Sequence, residues 1–147
     1  MEKENFEPVT ASEYTGPQSI MVAKSIMDKT IGKYFGAISS LQANDWCNMF
    51  AEEGYIEDPA GSRPFIGQKE LAIFFKGVQR MFAELKMTIV EKTLAFNSAT
   101  VKWQAEAVGY NGRKLYFNGT ENFYFNREGQ IVAAQVEWDP SVISDQL

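Results

Sequence analysis

The residues able to do chemistry in this chain are few, and their types narrow what that chemistry can be. There is no histidine, and Cys47 is the only cysteine. This excludes histidine-based catalytic triads, an internal disulfide and a cysteine-histidine zinc cluster. A general base must then be a carboxylate or, less readily, a lysine, tyrosine or cysteine; Cys47 itself reads as a partly buried helix residue. Asp58 stands beside Glu57 and directly before Pro59. An Asp-Pro pair is also an ordinary turn former, so the pair alone leaves both readings open. Strand parity puts Glu57 and Asp58 on opposite faces, so at most one of them points inward. Tyr34 interrupts an apolar helical stripe, either as a core tyrosine with its hydroxyl at the rim or as a placed donor. Glu121 shares strand parity with Phe117, Gly119, Phe123 and Phe125. If that face is inward, a carboxyl enters an apolar cavity, where burial favours its neutral form. If a bend reverses the parity, it faces solvent.

These residues need elements to hold them. Over residues 18–42, Ile20, Ala23, Met27, Ile31, Tyr34, Ile38 and Leu41 recur at helical spacing. Asn44 or Asp45 is a candidate cap for a second short helix carrying Trp46, Met49 and Phe50, with Gly54 as its stop. YIEDP reads as a short strand ending at Pro59, and a third helix spans 68–84. Four strand candidates follow, separated by Asn97-Ser98, Asn111-Gly112 and Arg127-Glu128-Gly129. Consecutive hairpins of this kind predict an antiparallel sheet with one face buried under helices. Trp103, Ala105 and Ala107 share a face on which the small alanines leave room.

The length of 147 residues and a hydrophobic fraction of 45% suit one globular domain. Pro8, Gly16 and Pro17 mark residues 1–17 as a flexible N-terminal arm, leaving 18–147 as the domain. The net charge of −5 and the absence of a basic stripe speak against a nucleic-acid partner. The first residues lack the pattern of a signal peptide or a membrane span, so a cytoplasmic location with no membrane partner is the expectation.

One segment is more specific. Ile56-Glu57-Asp58-Pro59-Ala60-Gly61-Ser62-Arg63-Pro64, followed by Gly67, resembles the segment that carries the base of the steroid Δ-isomerases (ketosteroid isomerases). These belong to the wider nuclear-transport-factor-2-like (NTF2-like) and SnoaL-like, polyketide-cyclase-like superfamily. The resemblance covers about residues 24–138. Tyr34, 24 residues before Asp58, matches the oxyanion-hole tyrosine, and Glu121 falls where the isomerases carry a protonated aspartic acid. Two departures stand out: Glu121 is one methylene longer than that aspartate, and Phe75 replaces a tyrosine that supports the oxyanion tyrosine.

The resemblance implies an α+β, cone-shaped fold with a curved, mainly antiparallel sheet packed against three N-terminal helices. It implies a cofactor-independent isomerase that moves a double bond in an apolar, 3-oxosteroid-like ketone. Asp58 would be the base, with Tyr34 and neutral Glu121 as donors to the dienolate oxygen, a scheme for which ketosteroid isomerase is the reference case. Phe74, Phe75, Trp103, Phe117, Phe123 and Trp138 would wall the pocket. The same fold also hosts polyketide cyclases, other lyases and hydrolases, and non-catalytic binding domains for hydrophobic ligands. A homodimer through the outer sheet face is implied as well, with Gln104, Glu106, Tyr116, Tyr124, Gln135 and Glu137 facing outward.

Overall fold

A computed structural model describes residues 20–146, so the expected arm over 1–17 lies outside the described residues. Helix α1 (Lys24–Ser39) begins later than the periodicity suggested and buries Met27, Ile31, Tyr34, Phe35 and Ala37. Helix α2 (Ala43–Cys47) buries Trp46 and Cys47. Its N-cap is Gln42, with no side-chain cap, so neither Asn44 nor Asp45 starts it. Strand β1 (Phe50–Glu57) follows, then β2 (Phe65–Ile66), helix α3 (Gly67–Met81), strands β3 (Glu84–Ala95), β4 (Ser98–Val108), β5 (Lys114–Phe125) and β6 (Ile131–Glu137), and helix α4 (Ser141–Gln146).

The architecture is α+β, with helices packed on one six-stranded sheet of order β2-β1-β6-β5-β4-β3. It corrects the expected cone in two respects, the curvature of the sheet and the number of helices before it. The sheet is open and not strongly curled, with β2 and β3 as its edges. It is mainly antiparallel, as expected, although the parallel pairing of β1 with β6 makes it a mixed sheet. Only α1 and α2 precede the sheet; α3 comes after β1 and β2. The cause is β1, which is not the short YIEDP piece but an eight-residue strand paired between β2 and β6. Gly54 does not end α2. It lies within β1, where the register against β6 shifts. A Cβ there would sit 2.6 Å from the Ile131 carbonyl oxygen, so only glycine lets the two backbones approach.

The sheet's inner face follows from alternation. Along β4, Ala99, Val101, Trp103, Ala105 and Ala107 are buried while their neighbours face out. Along β5, Leu115, Glu121, Phe123 and Phe125 take the buried face. At the turns, Gly112 and Gly129 adopt positive φ (84° and 83°), as tight hairpin connections require. On the outer face Gln104, Glu106, Tyr116 and Glu137 are exposed, but Tyr124 is half-buried and Gln135 is buried, so Gln135 is not a surface residue as expected. No helix among the described residues is long and apolar enough to cross a membrane.

Candidate active site

Under the helices the inner sheet face leaves a cavity of about 450 Å³. Its wall is overwhelmingly apolar, with Ile56, Phe65, Phe74, Phe82, Leu85 and Met87 among its residues. Tyr34, Asp58 and Glu121 all reach it, as do Phe74, Phe75, Trp103, Phe117 and Trp138. Phe123 does not line it. It is fully buried behind, with its ring edge-on to Tyr34 at 4.9 Å, and so braces the tyrosine from outside the cavity.

Asp58 leaves the end of β1 on the inner side, and the Asp58–Pro59 peptide bond is cis. Its Oδ1 accepts a hydrogen bond from the Trp138 indole Nε1–H at 2.6 Å. Burial raises its pKa to about 6, and the Trp138 bond works in the opposite direction by favouring the ionised form. Glu57 is buried on the opposite face of the sheet. Its Oε1 accepts from Gln135 Nε2 at 2.7 Å and from the Gly61 backbone N–H at 3.0 Å. The Ala60 N–H donates to the Val136 carbonyl at 2.7 Å. These bonds tie the loop after Asp58 to β6 and fix where the carboxylate emerges.

Glu121 is 2% exposed, which settles its face: it points inward. The Tyr34 hydroxyl donates to Glu121 Oε2, so α1 and β5 are joined inside the cavity wall. Burial pushes the Glu121 carboxyl up to about 8, the Tyr34 bond opposes this, and the Asp58 charge adds to it. Burial also holds the Tyr34 hydroxyl well above the usual tyrosine range, reinforced by the Glu121 carboxyl. At neutral pH, then, Glu121 keeps its proton while Asp58 is mostly ionised. Whichever oxygen donates within the Tyr34–Glu121 pair, two hydroxyl protons are present and one remains to offer a ligand.

The sheet sets the spacing between Asp58 and Glu121. Glu57 pairs with Gln135 and Glu121 with Val136, so Val136 stands between Asp58 and Glu121 on one face. Two strand separations put their backbones about 10 Å apart. Gly119 supports this arrangement. A Cβ there would lie 2.6 Å from Trp103 Cζ2, 2.8 Å from the Glu137 carbonyl oxygen and 2.9 Å from Trp138 Cβ. The missing side chain leaves room over β5 for the Trp103 indole and for the root of Trp138, whose N–H reaches Asp58. Sequence reasoning missed the Asp58–Trp138 bond; pattern placed Trp138 near the pocket but could not show what its N–H meets. It also missed Trp46, treated only as a helix core residue. Phe75 is fully buried and packs against Trp46 at 5.2 Å, so it gives Tyr34 no hydrogen bond. Among the described residues no group of histidine, cysteine, aspartate and glutamate side chains could hold a metal ion.

An α+β fold around an apolar cavity places the chain in a class of domains suited to small apolar ligands. Within it the chain belongs to the family of SnoaL-like domains, whose model matches residues 31–134. Two solved structures show the same fold. One is the epoxide hydrolase/cyclase-like enzyme SalBIII, described for its role in pyran ring formation in the polyether salinomycin. It is 21% identical with a TM-score of 0.71, over 80% of this chain and 93% of that one. The other is an NTF2-like protein of unknown function from Burkholderia pseudomallei, 15% identical with a TM-score of 0.72, over 82% of this chain and 96% of that one.

Proposed function

We propose that this protein is a cofactor-independent acid–base enzyme that forms or opens an oxygen-containing ring on an apolar small molecule, in the manner of a cyclase or epoxide hydrolase. The observation that carries it is the pairing of a neutral donor couple, Tyr34 with Glu121, and a carboxylate, Asp58, in one apolar cavity. Asp58 takes the proton from a substrate hydroxyl (or from water, for hydrolysis). That oxygen attacks an epoxide carbon; a C–O bond forms as the epoxide C–O bond breaks. The released oxygen takes the spare proton of the Tyr34–Glu121 pair, and exchange with solvent after product release restores both groups. Ring opening needs a donor and a base at separate atoms, which suits two carboxyls held about two strand spacings apart. The likeness of the fold to an epoxide hydrolase/cyclase-like enzyme supports the same reading.

A second reading is double-bond isomerisation of an apolar ketone through a dienolate, with Asp58 carrying the proton between carbons. It draws on the same three residues. It is less well supported because it asks Tyr34 and Glu121 to donate together to one oxygen, whereas here one donates to the other. Glu121 also reaches one methylene further than the isomerases' aspartate, and a misplacement of about 1 Å is enough to weaken catalysis by about a hundredfold.

The test offers a long-chain hydroxy-epoxide in water enriched in oxygen-18, with products separated by mass spectrometry. Cyclic ether without label is the expected product, and labelled diol would mark hydrolysis. Either product should form far faster with the natural chain than with Asp58→Asn. Equal rates for the two proteins would sink the ring-opening reading. Accelerated conjugation of a β,γ-unsaturated ketone in a parallel absorbance assay would put the isomerase in its place.

A further inference from the structure

Trp46 carries a buried polar group that the scheme above does not use. Its side chain is 0% exposed, and among the described residues its indole Nε1–H makes no full hydrogen bond, the Tyr34 oxygen being the acceptor beside it. Three aromatic rings hold the indole beside Tyr34. It is stacked on Phe74 at 5.5 Å and held by Phe50 and Phe75 at 4.8 and 5.2 Å. A buried donor left unpaired costs about 1–3 kcal/mol, and each such group in a folded protein calls for an explanation. Phenylalanine would fill much of the same aromatic cage without that N–H. The fourth ring against Trp46 is Tyr34, at 5.9 Å and tilted by 50°. Its hydroxyl oxygen already donates its proton to Glu121 and keeps lone pairs free to accept. Burial raises the Tyr34 pKa, but Trp46 acts against that rise, so the N–H lies where it favours negative charge on the tyrosine oxygen.

We propose that Trp46 is a positioning residue for the acid pair, its indole N–H closing onto the Tyr34 oxygen as negative charge builds there during turnover. This rests on the reading of Tyr34 and Glu121 as the proton donors. It assigns to α2 the supporting donor that Phe75 on α3 cannot supply. No bond is made or broken by Trp46; it shortens one approach and strengthens Tyr34 as an acid.

The test uses 2-naphthol, an apolar phenol whose bound ionised fraction is read by fluorescence, and naphthalene, which has the same rings without the oxygen. In Trp46→Phe the ratio of ionised to neutral bound naphthol should fall about tenfold, the worth of one hydrogen bond to a charged group. Naphthalene affinity should stay within about twofold of the natural chain, as expected where packing is unchanged. Equal loss of naphthalene and naphthol binding would mean a packing role and overturn the proposal. An unchanged ionised fraction in Trp46→Phe, with a reduced one in Glu121→Gln, would overturn it while leaving the acid pair standing. Failure of naphthol to ionise in the natural chain would remove the acid pair and the role of Trp46 together.

Discussion

A carboxyl keeps its proton at neutral pH only where water cannot reach its charge, and Glu121 is such a case. Its folded pKa of about 8 and that of Asp58, about 6, fix the protonation pattern that the proposed chemistry needs. On the hydroxy-epoxide, kcat/KM should rise through about pH 6 as Asp58 ionises and fall through about pH 8 as Glu121 loses its proton. The alkaline fall should vanish in Glu121→Gln, whatever rate remains; its persistence would assign that limb to another group. Stability carries the same signature. Both folded pKa values lie above the unfolded values near 4, so the folded state binds more protons than the unfolded one in between. Their stabilising contribution is complete below about pH 4 and is lost as pH rises through about 6 and about 8. Thermal unfolding from pH 5 to 9 should therefore show Glu121→Gln gaining on the natural chain as pH rises; a constant difference would mean that Glu121 is not neutral when folded. Parity along β5 made the inward direction of Glu121 legible as one of two alternatives. The partner of Asp58 was not legible, because an indole N–H meeting a carboxylate 80 residues away leaves no local mark.

At the scale of elements, the hairpins were readable because alternation and turn glycines are local properties. The strand β1 was not. Its first half, Phe50–Gly54, does not alternate cleanly, and Gly54 has the look of a helix stop when its true partner, Ile131, is out of view. Its parallel pairing with β6 could not be read either, since register between distant strands is set by packing rather than by sequence neighbours. Gly119 joins element to site. In Gly119→Ala, the added Cβ meets Trp103, the β6 backbone and Trp138 at once. Overpacking of this kind destabilises by about 1–3 kcal/mol, measurable by denaturant unfolding. Displacing Trp138 should also remove the bond that favours ionised Asp58, moving the acid limb of the rate profile to higher pH. An unmoved limb in a destabilised variant would mean that the indole reaches Asp58 without help from Gly119.

For the whole molecule, composition pointed to one globular domain and no further; the apolar cavity comes from the way the helices lie on the open mixed sheet. The pairing of β1 with β6 has a further consequence, in time rather than space. The contacts that make the site join residues 78 to 87 positions apart: Glu57 with Gln135, Asp58 with Trp138, and Tyr34 with Glu121. Such closures are entropically slow, and chains dominated by them fold slowly. On a ribosome Asp58 would emerge long before Trp138, and the cavity would be complete only once β6 had cleared the exit tunnel and docked. In refolding from denaturant, naphthol binding should return only with the phase that protects β6 amides from hydrogen exchange. Binding recovered ahead of that protection would show that the pocket is born from the helices and hairpins, and that the last strand merely completes it.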